Sequence, residues 1–188
     1  MIDYNSIIER YYDPATPLYD VLMVHSRQVA ELAAQICERL IAQGVPVDAD
    51  FVYEAAMLHD IGIVKTDADG IHCHGTEPYI KHGTLGRKML DDMGLYRHAL
   101  VCERHTGAGL SLNDIETQNL PLPHRDLLPV SVEEKIVCYA DKFFSKTHLG
   151  EAPKPMERVR LSMARFGDES LQRFNEMAQM FGEISEYS

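Results

Sequence analysis

The chain has 188 residues, of which 45% are hydrophobic, and a formal net charge of −11 at pH 7. This length and hydrophobic content suffice for one domain with a substantial core, whereas the acidic balance excludes an extended nucleic-acid surface, which needs clustered Lys and Arg. A membrane span is excluded as well, because no apolar run approaches the roughly 20 residues that a spanning helix requires. We therefore expect a cytoplasmic protein without a membrane partner, in an oligomeric state that these features leave open.

The first third of the chain has the spacing of amphipathic helices. Apolar residues recur every three or four positions, and period-two alternation is scarce, so the sequence predicts an all-α fold. The pattern predicts a short helix near residues 6–12, a long helix over about 17–43 and a third helix over about 49–61. We expect Gly44 and Gly62 to end the second and third helices, since glycine suits the left-handed conformation at a helix terminus.

The rest of the chain continues the helical pattern after a polar stretch, KTDADGIHCHGTE, that is predicted to be a loop. Helices are expected over about 78–93, 95–105, 132–146 and 156–181, with a long proline-containing loop over 110–129. No stretch reads as an interdomain linker. The sequence therefore predicts one domain over residues 1–188, with a core of about 18–149 and a C-terminal helix of about 156–181.

Six polar residues lie on helix faces that are otherwise apolar. His25, for example, precedes Val29 by four residues and Leu32 by seven, which places its imidazole on the buried face of the long helix. The others are His59, Asp60, His82, His105 and Asp141. Because a buried polar group without a partner loses its hydration and gains nothing, each of the six must be compensated.

Each of these residues alone has an ordinary structural explanation, such as a hydrogen bond to a backbone carbonyl, a helix cap or an ion pair. Six in one small domain would need six separate compensations, whereas one or two metal ions would satisfy them all. Imidazole nitrogen with carboxylate oxygen suits Fe, Mn, Co, Ni or Zn, and the lack of a thiolate cluster disfavours a closed structural zinc site. The sequence therefore predicts a site for divalent transition metal ions.

The order of these residues resembles the HD superfamily of metal-dependent phosphohydrolases. LHDIG, at residues 58–62, is the best-known signature of that superfamily, and His82 and His105 match the subgroup with a dinuclear site. The segments ERHTG and VCYADKF are similar to those of the bacterial diadenosine tetraphosphate hydrolase branch. MERVRLSMARFGDESLQRFNEM is similar to a tail of HD proteins with undefined substrates. The resemblance extends over about residues 18–181 and implies an HD-type helical bundle with the metal site in its core.

The resemblance also implies roles for the six residues. One ion would be held by His25, His59, Asp60 and Asp141. Asp60 would be the catalytic bridge to a second ion, which His82 and His105 would hold. Two such ions suit hydrolysis of a phosphoester or phosphoanhydride by an activated water. The expected partner is a small anionic phosphate compound, for example a nucleotide.

Five residues are candidate phosphate contacts: Arg104, Thr106, Gly107, Lys142 and Lys65. A guanidinium matches phosphate oxygens in bidentate geometry, which favours Arg104. For Lys142, a solvated position on its helix is an equal alternative. Many family members carry a lysine where Ile63 stands here, and Lys65 follows two residues later.

Two other functions remain open at this stage. Some relatives with similar His and Asp sites place two irons there and activate dioxygen, so an HD-type di-iron oxygenase is one alternative. A non-catalytic metal- or nucleotide-binding module is the other. Two further features lie outside these six residues. His72-Cys73-His74 could bind a soft metal or cover the site. His98 could contact the metal ligands without binding an ion itself, or it could contact the substrate.

Overall fold

The computed structural model describes residues 1–187, and it is 61% helix and 5% strand. This confirms the prediction of an all-α, HD-like helical bundle. The helices are α1 Tyr4–Glu9, α2 Pro17–Ala42, α3 Ala49–Leu58, α4 His82–Asp91, α5 Tyr96–Arg104, α6 Leu112–Thr117, α7 Val132–Asp141, α8 Met156–Ala164 and α9 Asp168–Phe181. In the part of the chain that the structure describes, no helix is both long enough and apolar enough to cross a membrane.

The central helix of the bundle is α2. It begins where Thr16 caps the amide of Tyr19 and Pro17 occupies the first turn, a position that needs no amide donor. Its apolar stripe, with Val29 and Ile36 fully buried, packs against α3 and α7. Helix α5 packs on α3, α4 and α7, so the core lies between α2, α3, α5 and α7. The helix ends that border this core supply the polar residues described below.

The end of α3 differs from the prediction. The helix ends at Leu58, and residues Ile61–Lys65 form a 3-10 helix in which Gly62 has no positive φ. Glycine is needed here for another reason. A Cβ on Gly62 would lie 2.1 Å from the carbonyl oxygen of His82 and 2.5 Å from the amide nitrogen of Gly86. The backbone after α3 is therefore in direct contact with the backbone of α4.

A second close backbone contact joins α4 to α5. A Cβ on Gly83 would lie 2.6 Å from the carbonyl oxygen of Cys102, so these two helices also approach without an intervening side chain. Gly86 is less crowded, since its Cβ would lie 3.2 Å from the amide nitrogen of Gly62 and 3.3 Å from Sγ of Cys102. Three glycines thus bring the ends of α3, α4 and α5 together.

The polar stretch after α3, predicted as a loop, contains a small three-stranded sheet. Its strands are β1 Thr66–Ala68, β2 Cys73–His74 and β3 Glu77–Pro78, in the order β2-β1-β3. β1 pairs with β2 in antiparallel and with β3 in parallel orientation. Strands of two or three residues are too short to show an alternating pattern, which is why the sequence did not indicate them.

Three other predicted segments also differ from the structure. The helix expected over 132–146 ends at Asp141, and the one expected over 156–181 is divided at Gly167, whose φ is +111°. The predicted loop 110–129 contains α6, which begins with a capping box formed by Ser111 and Asp114. Backbone hydrogen bonds between Leu110 and Leu127 close this segment around a small apolar cluster.

Candidate metal centre

The six predicted residues meet in the core, and four of the five elements that carry them do so at a helix end. His25 is the exception, in the first half of α2. The His59–Asp60 doublet directly follows α3, His82 is the first residue of α4, His105 follows the last residue of α5, and Asp141 is the last residue of α7. All six side chains are buried, and Asp60 has no exposed surface. Helix ends place the side chains at one level of the bundle, where they can converge.

The first group of ligand atoms comprises His25, His59, Asp60 and Asp141, whose facing atoms lie within 4.8 Å of one another. His25 Nε2 lies 2.9 Å from Asp141 Oδ1 and 3.3 Å from Asp60 Oδ2. His59 Nε2 lies 3.1 Å from the same Asp60 oxygen. Two imidazole nitrogens and two carboxylate oxygens therefore enclose one small space.

The second group comprises Asp60, His82 and His105. Here it is the other oxygen of Asp60, Oδ1, that faces the imidazoles, at 3.5 Å from His82 Nε2 and 3.4 Å from His105 Nε2. The two Nε2 atoms are 3.0 Å apart. The carboxylate of Asp60 thus divides its two oxygens between two neighbouring groups of ligand atoms.

Three imidazoles are held in the same way, each by a backbone carbonyl close by in the chain. Nδ1 lies at hydrogen-bond distance from the carbonyl oxygen of the residue three positions earlier, at 2.6 Å in His59, 2.8 Å in His82 and 2.7 Å in His105. A carbonyl oxygen only accepts, so Nδ1 carries the hydrogen in each ring. In the neutral ring Nε2 then bears a lone pair, and all three lone pairs point into the centre.

Several of these acceptors lack a hydrogen-bond partner in the described part of the chain. His59 Nε2 and both oxygens of Asp60 are buried without a hydrogen-bond partner among the described residues. The Nε2 lone pairs of His82 and His105 face each other at 3.0 Å, which is repulsive unless a cation or a proton lies between them. Cations bound by nitrogen and oxygen ligands would compensate these atoms, so the residues fit the metal ions that the sequence predicts.

Two lysines balance the two carboxylates. Lys142 Nζ lies 2.7 Å from Asp141 Oδ2 and donates to the carbonyl oxygen of His105 at 3.0 Å. Lys146 Nζ lies 2.7 Å from Asp60 Oδ2, although the two atoms are not aligned as a hydrogen bond. Burial alone would raise the pKa of Asp60, but the charges of Lys146 and His59 outweigh burial and hold that pKa well below its usual value.

The imidazoles of the centre differ in acidity because they face different charges. Burial lowers the pKa of His82 to about 3, since a charged ring there would lose its water, and nearby Asp60 opposes this only in part. Burial acts in the same direction on His59, but Asp60 and Asp141 outweigh it and raise the pKa of His59 to about 9. His82 therefore offers a neutral ring at physiological pH, whereas His59 must release a proton before it can bind a metal ion.

The five predicted phosphate contacts occupy different places. Lys142 lies at the centre, as described. Thr106 and Gly107 follow His105 and line a cavity that also borders His82. Arg104 instead donates to Glu134 at 2.9 Å, and the side chain of Lys65 is exposed to solvent. Their roles in binding phosphate stay predictions.

Sequence reasoning missed Lys146 and Tyr79. Lys146 follows Asp141 by five residues, a spacing with no helical meaning because α7 ends at Asp141. Tyr79 precedes α4, and its ring stacks on His82 with centroids 4.8 Å apart and an angle of 24° between the planes. The only available signal for Tyr79 was the aromatic residue three positions before an inward-facing His.

The His72-Cys73-His74 motif does not join a metal site. Cys73 packs in the core with no exposed surface, whereas His72 and His74 are exposed. Among the described residues, potential metal-ligand groups form only at the centre, around Asp60.

Comparison with known proteins identifies the family. The HD domain matches residues 22–145. An uncharacterized protein of Methanocaldococcus jannaschii is 36% identical over 124 residues, or 65% of this chain and 66% of that protein. A tRNA (cytidine(56)-2'-O)-methyltransferase of Picrophilus torridus is 33% identical over 139 residues, or 74% of this chain and 36% of that protein. One from Thermoplasma volcanium is 34% identical over 126 residues, or 67% of this chain and 32% of that protein.

The chain spans only part of the length of the relatives that it matches. The aligned part amounts to about two thirds of the Methanocaldococcus protein and about a third of each methyltransferase. No solved structure shows significant similarity to the chain. The matched range 22–145 nevertheless contains all six residues of the buried centre, from His25 to Asp141. On this match the chain belongs to the HD-domain family.

Proposed function

We propose that this chain is a metal-dependent phosphohydrolase of the dinuclear HD type, with a small anionic phosphate compound as its substrate. One observation carries the proposal. The two oxygens of Asp60 face two separate groups of imidazoles, which is the arrangement that a carboxylate bridging two ions requires. A single ion would leave one of these oxygens, and the lone pairs that face it, without a partner.

Each group of ligand atoms has a role in this proposal. The first ion would be held by His25, His59, Asp60 and Asp141, and the second by Asp60, His82 and His105. Two such ions lower the pKa of water toward neutrality and neutralise charge that develops on the phosphoryl oxygens. The three backbone carbonyls that hold Nδ1 of His59, His82 and His105 keep the Nε2 lone pairs aimed inward before any ion arrives.

The charge of the centre favours an anionic substrate even though the chain carries −11 overall. Asp60 and Asp141 are matched by Lys142 and Lys146, so the four side chains sum to zero. Divalent ions would make this small region strongly positive, and a positive site within low-dielectric walls attracts anions locally. Lys146 is only partly buried by comparison with Asp60, and we expect its ammonium to bind a phosphoryl oxygen once an ion shares the Asp60 carboxylate.

Two substrate classes follow from the comparisons and the resemblance. Similarity to the diadenosine tetraphosphate hydrolase branch favours a nucleotide or another small phosphate compound. The two relatives named as tRNA methyltransferases make an RNA phosphoester the second class. The acidic surface favours the first class, because a long RNA contact needs clustered basic residues to replace the counterions of the phosphates.

Anaerobic purification with metal analysis, followed by a chromatographic screen of nucleotides, phosphate esters and short RNA for hydrolysis products, tests the proposal. We expect two transition metal ions per chain and hydrolysis of a small phosphate substrate. Dioxygen consumption without hydrolysis would replace the proposal with the di-iron oxygenase. Two bound ions with neither reaction would indicate a binding module. Glu54→Gln, which removes a buried carboxylate away from the centre, serves as the matched control.

A further inference from the structure

A cavity of about 280 Å³ adjoins the metal centre on the side of the second ligand group. His82 and Thr106 form its boundary with the centre. Its other walls come from the segment that contains α6, from Phe166 between α8 and α9, and from the first half of α9. The stacked rings of Tyr79 and His82 lie where the cavity meets the ligand atoms. A group bound in this cavity would therefore lie next to the ring of His82, one of the six residues of the centre.

The surface that lines this cavity is mainly apolar, although polar residues contribute to it. The apolar residues include Ile80, Leu110, Leu120 and Phe166. Leu110 is buried, Ile80 and Leu120 are half-buried, and Phe166 is 49% exposed at the rim. An apolar wall with one large aromatic side chain open to solvent suits a ligand that buries apolar surface on entering.

The charged residues of the lining are already paired with each other. Arg173 donates to Asp114 at 2.6 Å and to the carbonyl oxygens of Ala108 and Gly109 at 3.3 and 3.2 Å. The guanidinium thus links α9 to the segment before α6. Its positive charge is neutralised by Asp114, so it does not attract an anionic ligand. A second phosphate or a carboxylate in this cavity would lose its water without gaining an unpaired cationic partner among the lining residues.

The size of the cavity and the origin of its walls narrow the choice further. Its volume lies just below the roughly 300–1,000 Å³ of ligand pockets, so only a compact organic group fits. Phe166, Ser170 and Arg173 lie beyond residue 145, where the HD match ends. One wall therefore lies outside the part of the chain that the HD domain matches.

We propose that this cavity binds the organic group of the substrate, and that this group is small, uncharged and apolar, as in an aryl or short alkyl phosphate. The inference rests on the proposed function, since the phosphoryl group is placed at the metal centre. In hydrolysis, a water oxygen forms the new bond to phosphorus and the ester P–O bond breaks. The leaving oxygen takes up a proton, which yields the alcohol and inorganic phosphate.

The test compares kcat/KM for 1-naphthyl phosphate, glycerol phosphate and adenosine monophosphate with the metal-loaded protein. We expect the aryl ester to exceed the other two at least tenfold. Ser170→Leu fills the cavity from the buried face of α9 and should lower the ratio of aryl to glycerol ester at least tenfold. Ser162→Leu, at an exposed position on α8, is the matched control and should keep the ratio of the unaltered protein.

A second measurement needs no metal and no turnover. The alcohol 1-naphthol, which lacks the phosphate, should bind the metal-free protein in a calorimetric titration. Ser170→Leu should abolish this binding, whereas Ser162→Leu should keep it. Equal kcat/KM for all three esters, or naphthol binding that Ser170→Leu leaves intact, would overturn the inference while the proposed function stands. Naphthol binding that depends on Ser170, without hydrolysis of any ester, would overturn the proposed function instead.

Discussion

The metal centre and the His98–Glu54 pair contain the same kinds of buried side chains but differ in how those side chains are satisfied. His98 Nε2 lies 3.2 Å from Glu54 Oε2, and the other oxygen of Glu54 accepts the amide of Ile2 at 2.8 Å. At the centre, by contrast, both oxygens of Asp60 lack a hydrogen-bond partner among the described residues. Burial of imidazole and carboxylate is therefore not the mark of a functional site. The mark is a group of buried acceptors that converge on one another without hydrogen-bond partners among the described residues.

The surroundings of His98 support a structural role for this pair. The ring of Phe51 meets His98 edge-on with centroids 4.9 Å apart, and the guanidinium of Arg97 covers Phe51 at 3.9 Å. These contacts enclose the pair between α3 and α5. His98 was a candidate to support the metal centre or contact the substrate, and the structure places it instead in this separate cluster. The following predictions separate the two regions by experiment, beginning with the largest effect.

Loss of the bridging carboxylate should distinguish the two regions most strongly. Asp60→Ala should lower turnover by more than about 100-fold, since even residues that only orient metal ligands contribute about 10- to 100-fold. It should also lower the metal content from two ions to at most one, while circular dichroism remains helical because the apolar stripes are unchanged. Glu54→Gln should keep both ions. Equal metal content in the two variants would remove the basis for the comparison.

Lys146 should affect the substrate rather than the ions. Lys146→Gln should lower kcat/KM for the best phosphate substrate by about 10- to 100-fold, because a hydrogen bond to a charged group contributes about 1.5–3 kcal/mol. Metal analysis should still find both ions, since Lys146 competes with a cation for Asp60 rather than holding one. Lys88→Gln, on the exposed side of α4, is the control. If Lys146→Gln lost the ions but kept its KM, the role of Lys146 would instead be to hold the metal ligands in place.

The His98–Glu54 pair should affect stability rather than chemistry. Glu54→Gln replaces charge-assisted hydrogen bonds by neutral ones and should lower the free energy of unfolding by about 1 kcal/mol. Urea denaturation of the metal-free protein measures this change. Turnover per bound metal should equal that of the unaltered chain, and a fall in turnover without a fall in stability would contradict the structural role.

The smallest expected effect is a pH dependence of stability. Burial lowers the pKa of His98, and its hydrogen bond to Glu54 opposes this only in part. Below the ordinary histidine pKa of about 6.5 the unfolded chain therefore takes up a proton that the folded chain resists. Stability of the metal-free protein should fall as pH drops from 7 to 5, and less steeply in His98→Gln. The exposed His124→Gln should keep the original slope, and identical slopes in all three proteins would refute the prediction.

The sequence predicted the elements and the inward-facing residues because both depend on local periodicity. His25 on the stripe of α2 and Asp141 on that of α7 were visible in this way. His98 and His82 show the limit of periodicity, since both lie on apolar helix faces. Only the tertiary structure shows that His98 pairs with Glu54, whereas His82 faces His105 at the centre. The position of Lys146 depends on how the chain leaves α7, which no periodic pattern encodes.

The direct backbone contacts at Gly62 and Gly83 have a consequence for how the centre is assembled. A side chain at Gly62 would meet the backbone of α4, and one at Gly83 would meet the backbone of α5, so either would force these helix ends apart. Asp60 lies two residues before Gly62, and His82 directly precedes Gly83, so the separation would spread the groups that face each other around Asp60. The centre therefore depends on two residues that supply no ligand atom.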